Sequence, residues 1–157
     1  MSIEDRIFTM EDDLDSMYHN YVVYAPEKAG KTTFCSYAPN ALVIDAEQGR
    51  ASIIKTPNRP KIFQPQNVDD LKEVFIWLQS NQDKFDSVVL DTATEVESWV
   101  CYEALERQCK KDPSKDPDLI TQNDYGKGST RMKRMADSFF GLDMNTIIVC
   151  HERRDKD

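Results

Sequence analysis

Glycine is scarce, with five in 157 residues, and no apolar run approaches the roughly 18 residues a membrane-spanning helix needs. The N-terminus is acidic where a signal peptide would be basic and then apolar, so the expectation is a soluble, unprocessed protein with no membrane partner. Cysteine is sparse as well. Cys35, Cys101, Cys109 and Cys150 lie far apart without a C-x-x-C pair, and two of them sit in apolar runs, where the reduced side chain acts as a small hydrophobe. A reducing cytoplasm is the expected setting. Positive charge is in deficit too: a net charge of -8 excludes a surface coated in basic residues, though not a local basic patch. There is no internal repeat and no low-complexity tract, and only Lys110 to Gly128 has the composition of a linker.

Apolar residues make up 39% of the chain, enough for a single core at this length. Short apolar runs bounded by turn residues predict strands at Tyr21 to Tyr24, Ala41 to Asp45, Lys61 to Phe63, Ser87 to Leu90 and Thr146 to Cys150. Several are apolar at consecutive positions, which suits strands covered on both faces in a parallel sheet. Between them the period lengthens. Leu71, Val74, Phe75 and Leu78 predict one amphipathic helix, and Met132, Met135, Ala136, Phe139 and Phe140 another. A third helix is expected over Thr94 to Gln108, with Val96, Trp99 and Val100 inward. This alternation predicts a doubly wound α/β fold, whose ligands sit at the carboxyl ends of its strands.

The stretch "YVVYAPEKAGKTTFC" runs from a strand into a loop that fits most of the phosphate-binding pattern G-x-x-x-x-G-K-[ST]. In that pattern backbone N–H groups face phosphate oxygens, lysine reaches the β/γ-phosphates and Ser/Thr binds Mg²⁺. Ala29, Gly30, Lys31, Thr32 and Thr33 are thus candidate nucleotide ligands, with ATP and Mg²⁺ as the implied cofactors. Ala25 stands where the pattern has its first glycine, and it serves only if its φ stays negative. Pro26 favours this by biasing Ala25 toward extended geometry. A second apolar strand, "DSVVLDT", ends in Asp91, a candidate metal carboxylate beside Thr32.

Hydrolysis also needs a carboxylate to polarise water. Thr92 follows Asp91, so the base must come from elsewhere. Glu47 of "LVIDAEQG" lies just past the end of its strand, on the edge where the phosphate loop should open; Glu95 is the competitor.

Taken in order, the phosphate loop, "LVIDAEQG", "VVLDTATE" and "IIVCHERR" resemble the ATPase core of the RecA superfamily, in particular the small RecA-like phage proteins of the Sak type. The resemblance implies an α/β, RecA-like P-loop NTPase with a mostly parallel central sheet flanked by helices. It divides the chain into an acidic arm, residues 1–16, and a nucleotide-binding core, residues 17–157. It makes Lys31 and Thr32 the phosphate and Mg²⁺ ligands, Asp91 the second metal carboxylate and Glu47 the base. His151 falls where relatives of this kind place a γ-phosphate sensor. The interval holding their DNA-contacting loop here carries eight Lys/Arg against four Asp between residues 107 and 134. Lys110, Lys111, Lys127 and Arg131, with Lys115, Lys133 and Arg134, can pair with phosphates there, and Tyr125 can stack a base. Lys133 and Arg134 can alternatively act across a subunit interface.

The resemblance implies an ATPase acting on single-stranded DNA in phage recombination, in the host cytoplasm. Its expected partners are single strands, a single-strand-binding protein and further copies of the chain. Two departures stand out: Ala25, and the seven residues after Cys150, too few for the further strands usual in the superfamily, so that the core is either minimal or cut short. Other readings remain open: a nucleotide-gated module that binds a protein partner with little hydrolysis and, ranked last, a small-molecule phosphotransferase.

Overall fold

Strands and helices follow one another as β1 (Asn20–Ala25), α1 (Lys31–Cys35), β2 (Ala41–Asp45), β3 (Lys61–Phe63), α2 (Val68–Gln79), β4 (Ser87–Asp91), α3 (Ala93–Cys109), α4 (Gln122–Phe140) and β5 (Asn145–His151). The structure is a computed structural model and describes residues 17–49 and 56–152. The acidic arm read from the sequence lies outside the described residues.

All five strands join one sheet in the order β1-β5-β4-β2-β3, and every neighbouring pair is parallel. The continuous apolar runs explain this, since β2 and β4 are buried at every position and must be covered on both faces. Alternate residues serve the two sides. Leu42, Ile44, Val88, Leu90 and Ile148 pack with Leu71, Val96 and Phe139 of α2, α3 and α4, while Val43, Val89 and Val149 pack with Cys35 of α1. The parallel register brings Ala25 beside His151 and Asp45 beside Asp91, so four chain positions line one carboxyl edge. No helix among the described residues is long and apolar enough to cross a membrane.

Caps set the helix starts. The Asn67 side chain accepts the N–H groups of Asp69 and Asp70 at 2.9 Å each, opening α2. Thr92 accepts the Glu95 N–H at 3.4 Å, opening α3. The linker reading of Lys110 to Gly128 is corrected in its second half, because α4 begins at Gln122. A capping box starts it: the Asp124 carboxylate accepts the Thr121 N–H at 2.8 Å, and the Thr121 side chain caps Asp124 in return. Gly128 is buried in that helix against Cys101 of α3, so its role is close helix packing and not loop freedom. Trp99, expected inward, is only half-buried.

Candidate nucleotide-binding site

The loop after β1 makes its left-handed steps at Lys28, with φ 61°, and at Gly30, with φ 88°. Ala25 ends β1 in extended geometry, so the alanine meets the condition set for it, and the turn is made further along. Gly30 caps α1, and its carbonyl accepts the Phe34 N–H at 2.9 Å. Lys31 is buried to 7% exposure at the head of that helix. Its ammonium donates to the Ala25 carbonyl at 2.9 Å, the Pro26 carbonyl at 2.8 Å and His151 Nδ1 at 3.1 Å. All three donors are used, and the lysine is held across the mouth of its own loop.

Asp91 ends β4 in full burial, with the Thr32 hydroxyl bonded to its carboxylate. Burial is the main force raising its pKa, opposed by the Thr32 bond and reinforced by the nearby Glu47 and Asp45 charges. Its Oδ1 is buried with no hydrogen-bond partner among the described residues. An orphaned carboxylate oxygen beside a threonine hydroxyl suits a hard cation. Mg²⁺ characteristically takes one or two protein oxygens and completes its shell with water and phosphate. The residues present fit that ion.

Asp45 is equally buried, yet its oxygens are occupied. Oδ1 accepts the Gly49 N–H and Oδ2 accepts Gln64 Nε2, each at 2.9 Å. It thereby ties down the turn that carries Glu47. That carboxylate accepts the Thr92 hydroxyl at 3.2 Å and meets His151 Nε2 in a short contact. Lys31 can only donate, so Nδ1 faces the ammonium as its acceptor while Nε2 faces the Glu47 carboxylate. The result is a continuous line from Thr92 through Glu47 and His151 to Lys31. His151 is fixed from behind, its main-chain N–H donating to Thr94 Oγ1 at 2.9 Å.

Glu47 and His151 border an open cleft of about 770 Å³, whose other walls include Lys28, Gln66, Glu95 and Trp99. Glu95 faces the same space, but it accepts the Trp99 indole N–H at 3.0 Å and does not join the line to Lys31. Sequence reading passed over Asp45, Thr92 and Thr94. All three stood inside the quoted motifs, "LVIDAEQG" and "VVLDTATE", but only Asp45, a polar residue ending a buried strand, carried a local signal.

The basic segment is less uniform than its composition. Lys110, Lys111, Lys127 and Tyr125 are exposed. Lys115 is not free: it pairs with the buried Asp124 at 2.7 Å. Arg131 pairs with Glu103 at 3.3 Å. Tyr125 and Lys127 stand on α4, where the composition read as a linker and the resemblance implied a DNA-contacting loop.

A parallel sheet with a glycine–lysine–threonine loop leaving its edge and a buried aspartate on the metal strand defines a P-loop nucleoside triphosphatase core. The chain belongs to the AAA domain family, which it matches over residues 17–157. No curated protein matches it. The family is one of nucleotide-binding ATPases, for which bound nucleotide and Mg²⁺ are typical.

Proposed function

We propose that the protein is a Mg²⁺-dependent ATPase of the RecA-like, Sak type, phage-encoded, acting on single-stranded DNA during annealing or strand exchange. The observation that carries the ATPase reading is the line Thr92–Glu47–His151–Lys31 at the carboxyl edge. In this reading Glu47 takes the proton of the attacking water, held in place by Thr92. Ala29 to Thr33 cradle the phosphates with their backbone N–H groups, and Lys31 exchanges its loop carbonyls for phosphate oxygens. Thr32 and Asp91 would hold Mg²⁺, which neutralises charge developing on the β/γ-phosphate oxygens.

His151 touches both the lysine that binds phosphate and the carboxylate that activates water. Its backbone is tied to Thr94 in the first turn of α3, and α3 packs tightly on α4 through Cys101 and Gly128. A packed route thus leads from the phosphate site to the helix bearing Tyr125 and Lys127. This supports a nucleotide-dependent change in the way single strands are held, with Lys110, Lys111 and Lys127 on phosphates and Tyr125 on a base. Further copies of the chain and a single-strand-binding protein complete the proposed assembly.

One observation favours the second reading, a nucleotide-gated protein-binding module. Lys115 and Arg131 are spent on internal ion pairs, which thins the basic surface. Steady-state ATP hydrolysis with and without single-stranded DNA separates the two. The recombination ATPase requires acceleration by single strands, abolition in Lys31→Ala and a loss of roughly 10²- to 10⁴-fold in Glu47→Gln. ATP binding through Lys31, with turnover indifferent to DNA and to Glu47, would establish the binding module instead.

A further inference from the structure

On the side of the sheet covered by α2, α3 and α4, the three helices leave an apolar groove of about 330 Å³ with Leu71, Phe75, Met135 and Phe139 in its walls. Its rim is basic. Lys72, Arg107 and Arg131 converge on the one carboxylate of Glu103, and Arg134 forms no ion pair among the described residues. One glutamate cannot balance four cations, even with Asp69 drawing on Lys72 at 2.7 Å. Arg131, although paired, therefore belongs to a cluster that keeps surplus positive charge.

That charge runs on past the groove. Lys127, Arg131 and Arg134 recur at i, i+4 and i+7, along one face of α4, while Arg107 and Lys110 stand three apart where α3 ends. Gln108 bonds to the Asp124 carboxylate, so the end of α3 lies beside the start of α4 and the two rows run side by side. From Lys127 to Arg134 the row on α4 covers about 10 Å. An acidic helix seated on the apolar floor would meet the rim alone. A cationic row that overruns its pocket suits a longer polyanion bearing flat apolar groups, and arginines supply most of the rim, with a planar fork that matches phosphate. Phe75 is half-buried, packs its ring against Phe139 with centroids 5.2 Å apart and still borders the groove, which gives a base an aromatic surface. Tyr125, two residues from Lys127, stands on a different face of α4.

We infer that single-stranded DNA runs along the α3–α4 face, its phosphates on Arg107, Lys127, Arg131 and Arg134 and one base inserted in the groove against Phe75. The inference rests on the single-strand reading above and adds a path to it, with Arg107, Arg134 and Phe75 as new contacts.

Fluorescence anisotropy of a labelled oligothymidylate of about 20 nucleotides, titrated with the full chain over a range of salt, tests the path. Arg107→Gln with Arg134→Gln is expected to lower the slope of log K against log salt by about 1.4, two phosphate contacts at about 0.7 each, and to weaken binding about 25-fold at about 0.1 M salt. Lys61→Gln with Lys84→Gln removes the same charge near β3, outside the groove, and should leave slope and affinity unchanged. The same oligonucleotide carrying 5-iodouracil should crosslink on irradiation to Phe75 or Met135, read by mass spectrometry. Equal losses in both double variants, no loss in either, or crosslinks confined to another surface overturn the path and leave the single-strand reading standing. A native protein that does not bind the oligonucleotide overturns both. Poly-glutamate held through Arg107 and Arg134 as tightly as the oligonucleotide would make the occupant an acidic protein segment, and the inference falls.

Discussion

At the scale of single residues, the site is a set of polar groups each held by a neighbour that is itself fixed. His151 is the hinge of the set, since it reads Lys31 with one ring nitrogen and Glu47 with the other. His151→Phe keeps the ring's bulk and removes both contacts. Turnover should fall about 10²-fold with little change in ATP affinity, as expected for a group acting mainly in the transition state; unchanged turnover would reduce His151 to a strand-end residue. Asp91 gives a prediction of opposite sign for stability. Its folded-state pKa is raised above the ordinary 3.8, chiefly by burial, so its contribution to stability is present below that pH and lost as the pH rises and the carboxylate ionises in place. Ligand-free Asp91→Asn should therefore melt above the native protein at pH 7, an advantage that shrinks below pH ~4. The same variant should lose the stabilisation that Mg²⁺ adds to bound ATP. Thermal melts at two pH values, with and without Mg·ATP, measure both effects.

At the scale of elements, two glycines of α4 separate packing from propensity. A Cβ on Gly126 would meet nothing within 4 Å, whereas one on Gly128 would run into Cys101 Sγ. Gly126→Ala should stabilise the protein by about 0.5–1 kcal/mol through helix propensity alone. Gly128→Ala should reverse that sign, destabilising by about 1–3 kcal/mol through overpacking, and Cys101→Ala should recover most of the loss in the double variant. Denaturant midpoints of the four proteins decide it. These glycines also show where the sequence was legible and where it was not. β2 falls on the residues its apolar run marked, because a strand buried on both faces advertises itself. The first two turns of α4 read as linker, because Gly126 and Gly128 carry no side-chain period and the preceding Asp–Pro repeats look like a loop. The overlooked signal was Thr121 followed three residues later by Asp124, a helix start written in capping chemistry and not in apolar spacing. At the site, the loop lysine and strand-end carboxylates were visible as motifs. The Thr92 and Thr94 bonds depend on the register of three strands, and no local pattern carries that.

At the scale of the whole molecule, ionisation and ligand binding act on the same folded state from different places. Asp124 is buried where α4 begins, and the Lys115 ammonium with the Thr121 bonds pulls its pKa from 3.8 down to about 2. A depressed carboxylate contributes stability above its unfolded pKa and loses it as the pH falls through the folded value. The native protein should therefore be more stable than Asp124→Asn at pH 6, and the gap should narrow as the pH drops from about 4 toward 2. Nucleotide acts at the opposite end of α3, through groups that are ordered but unsaturated: an orphaned Asp91 oxygen and a lysine parked on its own loop carbonyls. A ligand that binds only the folded state adds about 2.7 kcal/mol at a hundredfold excess over its Kd, which for a chain of this length raises Tm by roughly 5–10 °C. Mg·ATP should give that shift in the native protein and in Glu47→Gln, where binding survives and hydrolysis does not. It should give none in Lys31→Ala. Because the Asp124 cluster lies outside the phosphate site, Asp124→Asn should start from a lower Tm at pH 7 and still show the full rise with Mg·ATP. A reduced rise in that variant would mean that the α3–α4 packing takes part in nucleotide binding itself.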